Sequence, residues 1–328
     1  MHKIALLGCG RIGKIHAANA VAHPDLHLSH IVDPFAENAE AVAAATGAEI
    51  TTYEAVLADR SIEGAIVATS TDLHLSECLE LHAAGKAIFC EKPIGMDLAL
   101  VEREAAKLKD ARLFLAFNRR FDPNIRALQA RLASGEVGRL ETLQITSNDT
   151  SPPPINFVKT SGGLFKDMAI HDLDMASWLL GEPPSEIFAW GSCLVDPAIG
   201  EAGDIDTART MLKTASGRLC VIANSRRSGF GYDQRIEAFG SDGMIRIGNI
   251  TETSVEVWKV AGPQTDRFQN FFLERYADAY RAEMWHFAEM LAGTATPAVG
   301  YDDGVAALRL AEAALKSLET GLPVKLNG

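Results

Sequence analysis

Asp167 and His171 stand four residues apart in Gly162-Gly163-Leu164-Phe165-Lys166-Asp167-Met168-Ala169-Ile170-His171-Asp172-Leu173-Asp174. If that run enters a helix, the spacing puts both side chains on one face. A carboxylate there can accept the imidazole N–H, fix the tautomer and leave the other ring nitrogen to take a proton. Lys92, in Glu91-Lys92-Pro93, directly follows the apolar run 87–90. Ligands of an open α/β sheet bind beyond the carboxyl ends of its strands, so Lys92 is expected to project into that crevice. An ammonium there can hydrogen-bond a reacting oxygen and stabilise an alkoxide. Base and cation together suit the oxidation of an alcohol without metal. The plainer alternatives are a buried capping pair for Asp167 and His171, and a solvated strand-end lysine for Lys92. No further His or Cys group is spaced to join His171, Asp172 and Asp174 as metal ligands.

A second constellation lies at the start of the chain. Gly8-Cys9-Gly10-Arg11-Ile12-Gly13 follows a short apolar run, opens an alanine-rich helical stretch, and precedes Asp33 by 20 residues counted from Gly13. In that context the glycines have distinct tasks. Gly8 permits the tight turn, Gly10 lets backbone amides approach a pyrophosphate, and Gly13 allows close helix–strand packing. Arg11, Ile12 and Gly13 then begin the helix, where N–H groups and the dipole favour anions. Asp33 should accept hydrogen bonds from the adenosine ribose. A carboxylate there repels a 2′-phosphate, and Pro34 and Phe35 bring no cation, so NAD is expected over NADP. In Ala68-Thr69-Ser70-Thr71-Asp72-Leu73-His74, which follows another strand, Thr69, Ser70 and Thr71 could line the nicotinamide ribose, and His74 is expected with Thr69 and Ser70 on the cofactor side. The alternative there is a capping turn before a helix.

These groups need a scaffold. Strands are expected at 3–7, 28–33, 64–68, 87–90 and 112–116, alternating with helices to about residue 22 and at 36–46, 73–84 and 98–108. Repeated βα units imply a doubly wound parallel sheet covered on both faces, an α/β Rossmann domain over residues 1–118. After Asn118-Arg119-Arg120-Phe121 the rhythm changes. A helix at 123–134 leads into strands at 140–147, 186–194, 207–214, 218–223, 235–239 and 254–260, and long helices at 268–291 and 302–319 follow. Residues 119–328 thus read as an α+β substrate-binding domain with a large, mostly antiparallel open sheet.

Composition bounds the function. The 328 residues, with 47% hydrophobic and 23% charged, suit a soluble globular protein of two domains. A net charge of −12, from 31 basic and 43 acidic residues, argues against nucleic acid as a partner. Cys9, Cys78, Cys90, Cys193 and Cys220 form no C-x-x-C pair, as expected for reduced thiols in the cytoplasm. No apolar run is long enough to span a membrane and no signal segment precedes the first strand.

On Gly8–Gly13, Glu91-Lys92-Pro93, Gly162-Gly163 and the Asp167…His171 pair, the chain resembles the GFO/IDH/MocA family, which groups glucose–fructose oxidoreductase with inositol dehydrogenases. Longer strings resemble the inositol dehydrogenase branch: Phe117-Asn118-Arg119-Arg120-Phe121-Asp122-Pro123, Leu194-Val195-Asp196-Pro197 and Asn224-Ser225-Arg226-Arg227. The resemblance implies Lys92, Asp167 and His171 as the catalytic set, with His171 as general base. It implies NAD as cofactor, contacts from Glu91 and Lys92 to it, and a cyclic polyol as substrate, myo-inositol first, oxidised to a 2-keto inositol. Arg119 and Tyr232 would join Lys92, Asp167 and His171 in the polyol pocket, and the antiparallel sheet would mediate a homotetramer. Another inositol isomer, a pyranose or a keto sugar is the alternative within this chemistry; a non-catalytic sugar or dinucleotide sensor is the alternative outside it. The family has Thr-Pro where this chain has Thr69-Ser70, a change expected to loosen that loop while removing no proton carrier.

Overall fold

A computed structural model describes residues 1–326, in two units. The first comprises Met1–Phe121 with Asp278–Leu308, the second Asp122–Ala277 with the chain from Arg309 onward. A single cut after residue 118 is therefore corrected: the chain returns to its first unit late in the sequence.

In the first unit, apolar runs alternate with helices. The elements are β1 (His2–Leu7), α1 (Arg11–Ala22), β2 (Leu26–Val32), α2 (Ala36–Thr46), β3 (Glu49–Ile50), α3 (Tyr53–Ala58), β4 (Gly64–Val67), α4 (Thr71–Ala83), β5 (Ala87–Glu91), α5 (Leu98–Leu108) and β6 (Leu113–Ala116). Among the described residues these strands form one sheet in the order β3-β2-β1-β4-β5-β6, and every pairing is parallel. The order reverses outward from β1, so the glycine turn after β1 lies at the switch point where a doubly wound sheet binds ligands. β4 and β6 are buried along their whole length, the signature of strands covered on both faces. The short β3 and α3 carry too little apolar pattern to be expected from sequence.

Why 278–308 rejoins this unit is visible in its contacts. Phe287 packs edge-on against Phe89 of β5, which also meets Phe114 of β6. Burying such a ring stabilises by about 2–3 kcal/mol. Arg112 donates to the Met290 carbonyl at 2.6 Å, and the Tyr301 hydroxyl donates to the Val101 carbonyl at 2.5 Å.

The second unit follows a short 3₁₀ turn at Asn118–Phe121. Its elements begin with α6 (Pro123–Ala133), β7 (Leu140–Asn148), α7 (Ile155–Val158), α8 (Gly163–Asp167), α9 (Ile170–Leu180), β8 (Pro184–Ser192) and α10 (Pro197–Glu201). They continue with β9 (Thr207–Thr214), β10 (Leu219–Ser225), β11 (Asp233–Gly240), β12 (Gly243–Ile247), β13 (Glu256–Lys259), β14 (Gly262–Thr265) and α11 (Phe272–Arg275). The chain ends with α12 (Ala277–Leu291), α13 (Tyr301–Thr320) and β15 (Val324–Lys325). Among the described residues the large sheet runs β12-β11-β7-β10-β9-β8-β15, antiparallel except where β10 lies parallel to β7. Its inner face carries Ile145, Ile187, Leu212, Ile222 and Ile236, packed with Leu173, Ala176 and Leu180 of α9. Strict alternation in β9, with buried Ala208, Thr210, Leu212 and Thr214, leaves its other face open.

One long helix over 268–291 is not formed. α11 and α12 are separated at Tyr276 (φ −112°, ψ 18°). Arg275 pairs there with the buried Asp122, whose carboxylate caps α6 by accepting from Asn124 and Ile125. The expected strand at 254–260 is the first arm of the β13–β14 hairpin.

Candidate active site

The cofactor end lies wholly within the first unit. Gly8 has φ +90°, and a Cβ there would meet the Ala68 carbonyl oxygen at 2.3 Å. At Gly13 a Cβ would come within 2.0 Å of the Gly8 oxygen. Gly10 is different: a Cβ would meet nothing within 4 Å. The open space therefore faces the residue whose backbone must approach a pyrophosphate, while its two partners are compressed to make the turn. Gly10 caps α1 without a side-chain bond, leaving the helix start to backbone amides. These residues fit a dinucleotide.

Asp33 directly follows β2, beside that turn. Its carboxylate accepts from Cys9 N–H at 2.6 Å and from Phe35 N–H at 2.8 Å. Each oxygen retains a second lone-pair direction, so the group can hold a ribose hydroxyl while its position is fixed by the backbone.

After β4, Ser70 starts α4 with φ −70°, the value a proline ring would impose. The Thr69 hydroxyl donates to Glu77 Oε2 at 2.6 Å, and burial pushes the Glu77 carboxyl up to about 7. The loop is thus braced rather than loosened by the loss of proline. His74 is 2% exposed, with Nδ1 at 2.8 Å from the Pro93 carbonyl and Nε2 at 3.2 Å from the Thr69 carbonyl. Burial lowers its pKa, although both carbonyls favour the charged ring. His74 therefore ties the loop after β4 to the loop after β5.

Lys92 follows β5 directly and is partly exposed. Glu91 has its own bracing: Oε1 lies 2.7 Å from Nε2 of the fully buried His16 on α1, and Oε2 accepts from Lys92 N–H at 3.3 Å. Glu283 of α12 is also fully buried, and burial, then the nearby Glu91, raises its pKa well above the usual carboxylate range. Neither His16 nor Glu283 gave a signal in the sequence, since their duty depends on a contact to the end of a distant strand. Arg119, on the 3₁₀ turn, is 5% exposed.

The second unit carries the other pair. Asp167 closes α8 and His171 lies in the first turn of α9, so the two are not on one uninterrupted helix. Met168 and Ala169 between them keep right-handed backbone (φ −92°, −71°), and the N–H groups of both reach the Leu164 carbonyl. The i,i+4 expectation is corrected to a junction of two short helices. Asp167 Oδ2 lies 3.4 Å from both terminal nitrogens of Arg226, a residue buried to 1% exposure. Behind His171, Asp172 is buried and accepts from Asn224 Nδ2 at 2.8 Å, seating α9 on β10. Tyr232 is mostly buried, donates its N–H to the Gln269 carbonyl and packs edge-on against Tyr276. Arg226 stood in the sequence only as part of a longer string. Among the described residues, no cluster of His, Cys, Asp and Glu is arranged to hold a metal ion.

Comparison with known proteins gives the lineage. Residues 2–118 match the model of an oxidoreductase family with an NAD-binding Rossmann fold, and residues 125–246 match the GFO/IDH/MocA C-terminal domain. An inositol 2-dehydrogenase of Rhizobium meliloti is 43% identical over 321 residues, 96% of each chain. The crystal structure of a myo-inositol dehydrogenase from Corynebacterium glutamicum superposes with a TM-score of 0.95 at 42% identity, covering 100% of this chain and 99% of that one. A scyllo-inositol dehydrogenase from Lactobacillus casei, solved with NAD(H) and scyllo-inositol, gives 0.92 at 26% identity over 99% of each chain. With both halves matched, this chain belongs to the GFO/IDH/MocA family and is an NAD-dependent dehydrogenase.

Proposed function

We propose that the protein oxidises a secondary hydroxyl of a cyclic polyol, myo-inositol giving 2-keto-myo-inositol, with His171 as the general base. The observation that carries this reading is the full-length likeness to inositol 2-dehydrogenase in a chain that holds Lys92, Asp167 and His171. Bound NAD supplies the hydride acceptor, held by Gly8, Gly10, Arg11, Ile12, Gly13 and Asp33, with Thr69, Ser70 and Glu91 toward the nicotinamide end. His171 takes the hydroxyl proton, and Asp167 orients the imidazole and balances its charge. Lys92 donates to the same oxygen and stabilises its growing negative charge. Arg119 and Tyr232 present polar groups to the remaining hydroxyls.

A second reading, scyllo-inositol as the preferred isomer, is favoured by the likeness to the enzyme solved with that polyol. NADH formation across inositol stereoisomers and glucose, with NAD and NADP in parallel, decides between them. Turnover fastest with myo-inositol and NAD is expected; NAD binding without turnover on any polyol would overturn both readings in favour of a sensor.

The open face of the large sheet supports assembly as a homotetramer. Trp190, Met211, Phe239 and Met244 stand exposed there at 64%, 46%, 50% and 51%, and water is a poor partner for so broad an apolar surface. Free thiols at Cys9, Cys78, Cys90, Cys193 and Cys220 support the cytoplasm as its location.

A further inference from the structure

The group that sets Asp167 lies on the second unit's sheet. Arg226 follows β10, and its guanidinium stands between two carboxylates: Asp167 at 3.4 Å and Asp204 at 3.9 Å. Asp204 is tied in turn to the start of the helix that Asp167 ends, since its Oδ1 accepts from Leu164 N–H at 3.1 Å. Gly163 makes this possible. It has φ +78°, and a Cβ there would sit 2.7 Å from Asp204 Oδ1. One cation thus stands within ion-pair distance of the carboxylates at both ends of α8, Asp204 at its start and Asp167 at its close. Lys166, the remaining cation of that helix, is paired with Glu312 at 2.6 Å.

We infer that Arg226, held with Asp204, is a positioning residue for Asp167 and through it for the imidazole of His171; this rests on the catalytic reading above. Burying a guanidinium is costly, and well-packed apolar residues in its place are often as stable, so stability is a weak reason for it. Direction is a better one. Arg226 is 1% exposed while Asp167 keeps 19% of its side-chain surface open. The cation therefore holds the carboxylate from its buried side and leaves the open side for its working partner. The Gly162-Gly163 pair, Asp204 and the Asn224-Ser225-Arg226-Arg227 string, unconnected along the sequence, become parts of one device.

The test uses the full-length enzyme with NAD and myo-inositol, comparing Arg226→Gln, Arg226→Lys, Asp167→Asn and the Arg226→Gln/Asp167→Asn double variant. Arg226→Gln should lower kcat on the order of 10²-fold, the scale of a misplaced reacting group, with NAD affinity within about threefold. Arg226→Lys should restore kcat only in part, because an ammonium keeps the charge but lacks the fork. The double variant should be no slower than Asp167→Asn alone; a merely structural role would add its own loss. If Arg226→Gln fails to fold, Arg226→Lys decides alone. Arg226 variants with native kcat, beside an impaired Asp167→Asn, would overturn this inference and leave the proposed function standing. A fully active Asp167→Asn would overturn the proposed function instead.

Discussion

A histidine can take a proton from an alcohol only if one ring nitrogen is held and the other is presented. Removing His171 should therefore cost the chemical step and spare the cofactor. His171→Ala is expected to lower kcat by about 10²–10⁴-fold with NAD binding retained, measured by steady-state kinetics and dinucleotide titration. A loss under about threefold would remove it from the role. Asp33 governs a different choice. Replacing it by Ser deletes the charge that repels a 2′-phosphate, so the kcat/KM ratio of NADP to NAD should rise. Glu77 offers a pH test. Its carboxyl is raised by burial from 4.5 to about 7, so between those values the folded state holds a proton that the unfolded state has lost. Stability from this group is then highest below pH 4.5 and declines as pH rises to about 7. At about 1.4 kcal/mol per pH unit, the cost is at most roughly 3 kcal/mol. Urea unfolding of Glu77→Gln beside the native protein should show the variant gaining relative stability from pH 5 to pH 8, and a constant difference would refute the assignment.

At the level of elements, the turns carry the precision. Asp206 is fully buried, and its carboxylate accepts from the N–H groups of Leu194, Val195 and Asp196 at 2.7–3.0 Å and from the Thr207 hydroxyl at 2.9 Å. Burial alone would raise its pKa, yet the backbone amides of Leu194, Asp196 and Val195 bring it down to about 2. The Leu194-Val195-Asp196-Pro197 string is thus a loop wound around one carboxylate before α10. Asp206→Asn replaces one accepting oxygen by a donor facing an N–H. It should destabilise the second unit by on the order of 3 kcal/mol in denaturant unfolding. Gly163→Ala tests the start of α8. A side chain at φ +78° is strained, and its Cβ would displace Asp204, so a cost of about 1–3 kcal/mol is expected.

For the whole molecule, the alternation of buried and open positions in the large sheet makes the proposed homotetramer testable. Met211→Glu puts a charge on the open face without touching the core beneath β9. Sedimentation should show smaller species with far-ultraviolet circular dichroism unchanged. A native sedimentation coefficient would place the interface elsewhere. The division of the chain also limits what can be cut away. Residues 278–308 supply Phe287 and Tyr301 to the first unit, so a fragment ending near residue 118 lacks part of its own core.

By itself the sequence determined the parallel and antiparallel sheets, the glycine turn, Asp33, Lys92 and the Asp167–His171 spacing. Those features follow from local rules: apolar periodicity, glycine sterics and the reach of a helical turn. Only the tertiary structure decided that α8 and α9 are separate, that His74 braces two loops, that His16 and Glu283 lie beside Glu91, and that Arg226 lies between Asp167 and Asp204. These residues meet partners between about 20 and 190 positions away, and no periodicity or spacing rule reaches across such a distance. Where a side chain's partner is remote, packing alone brings the two together.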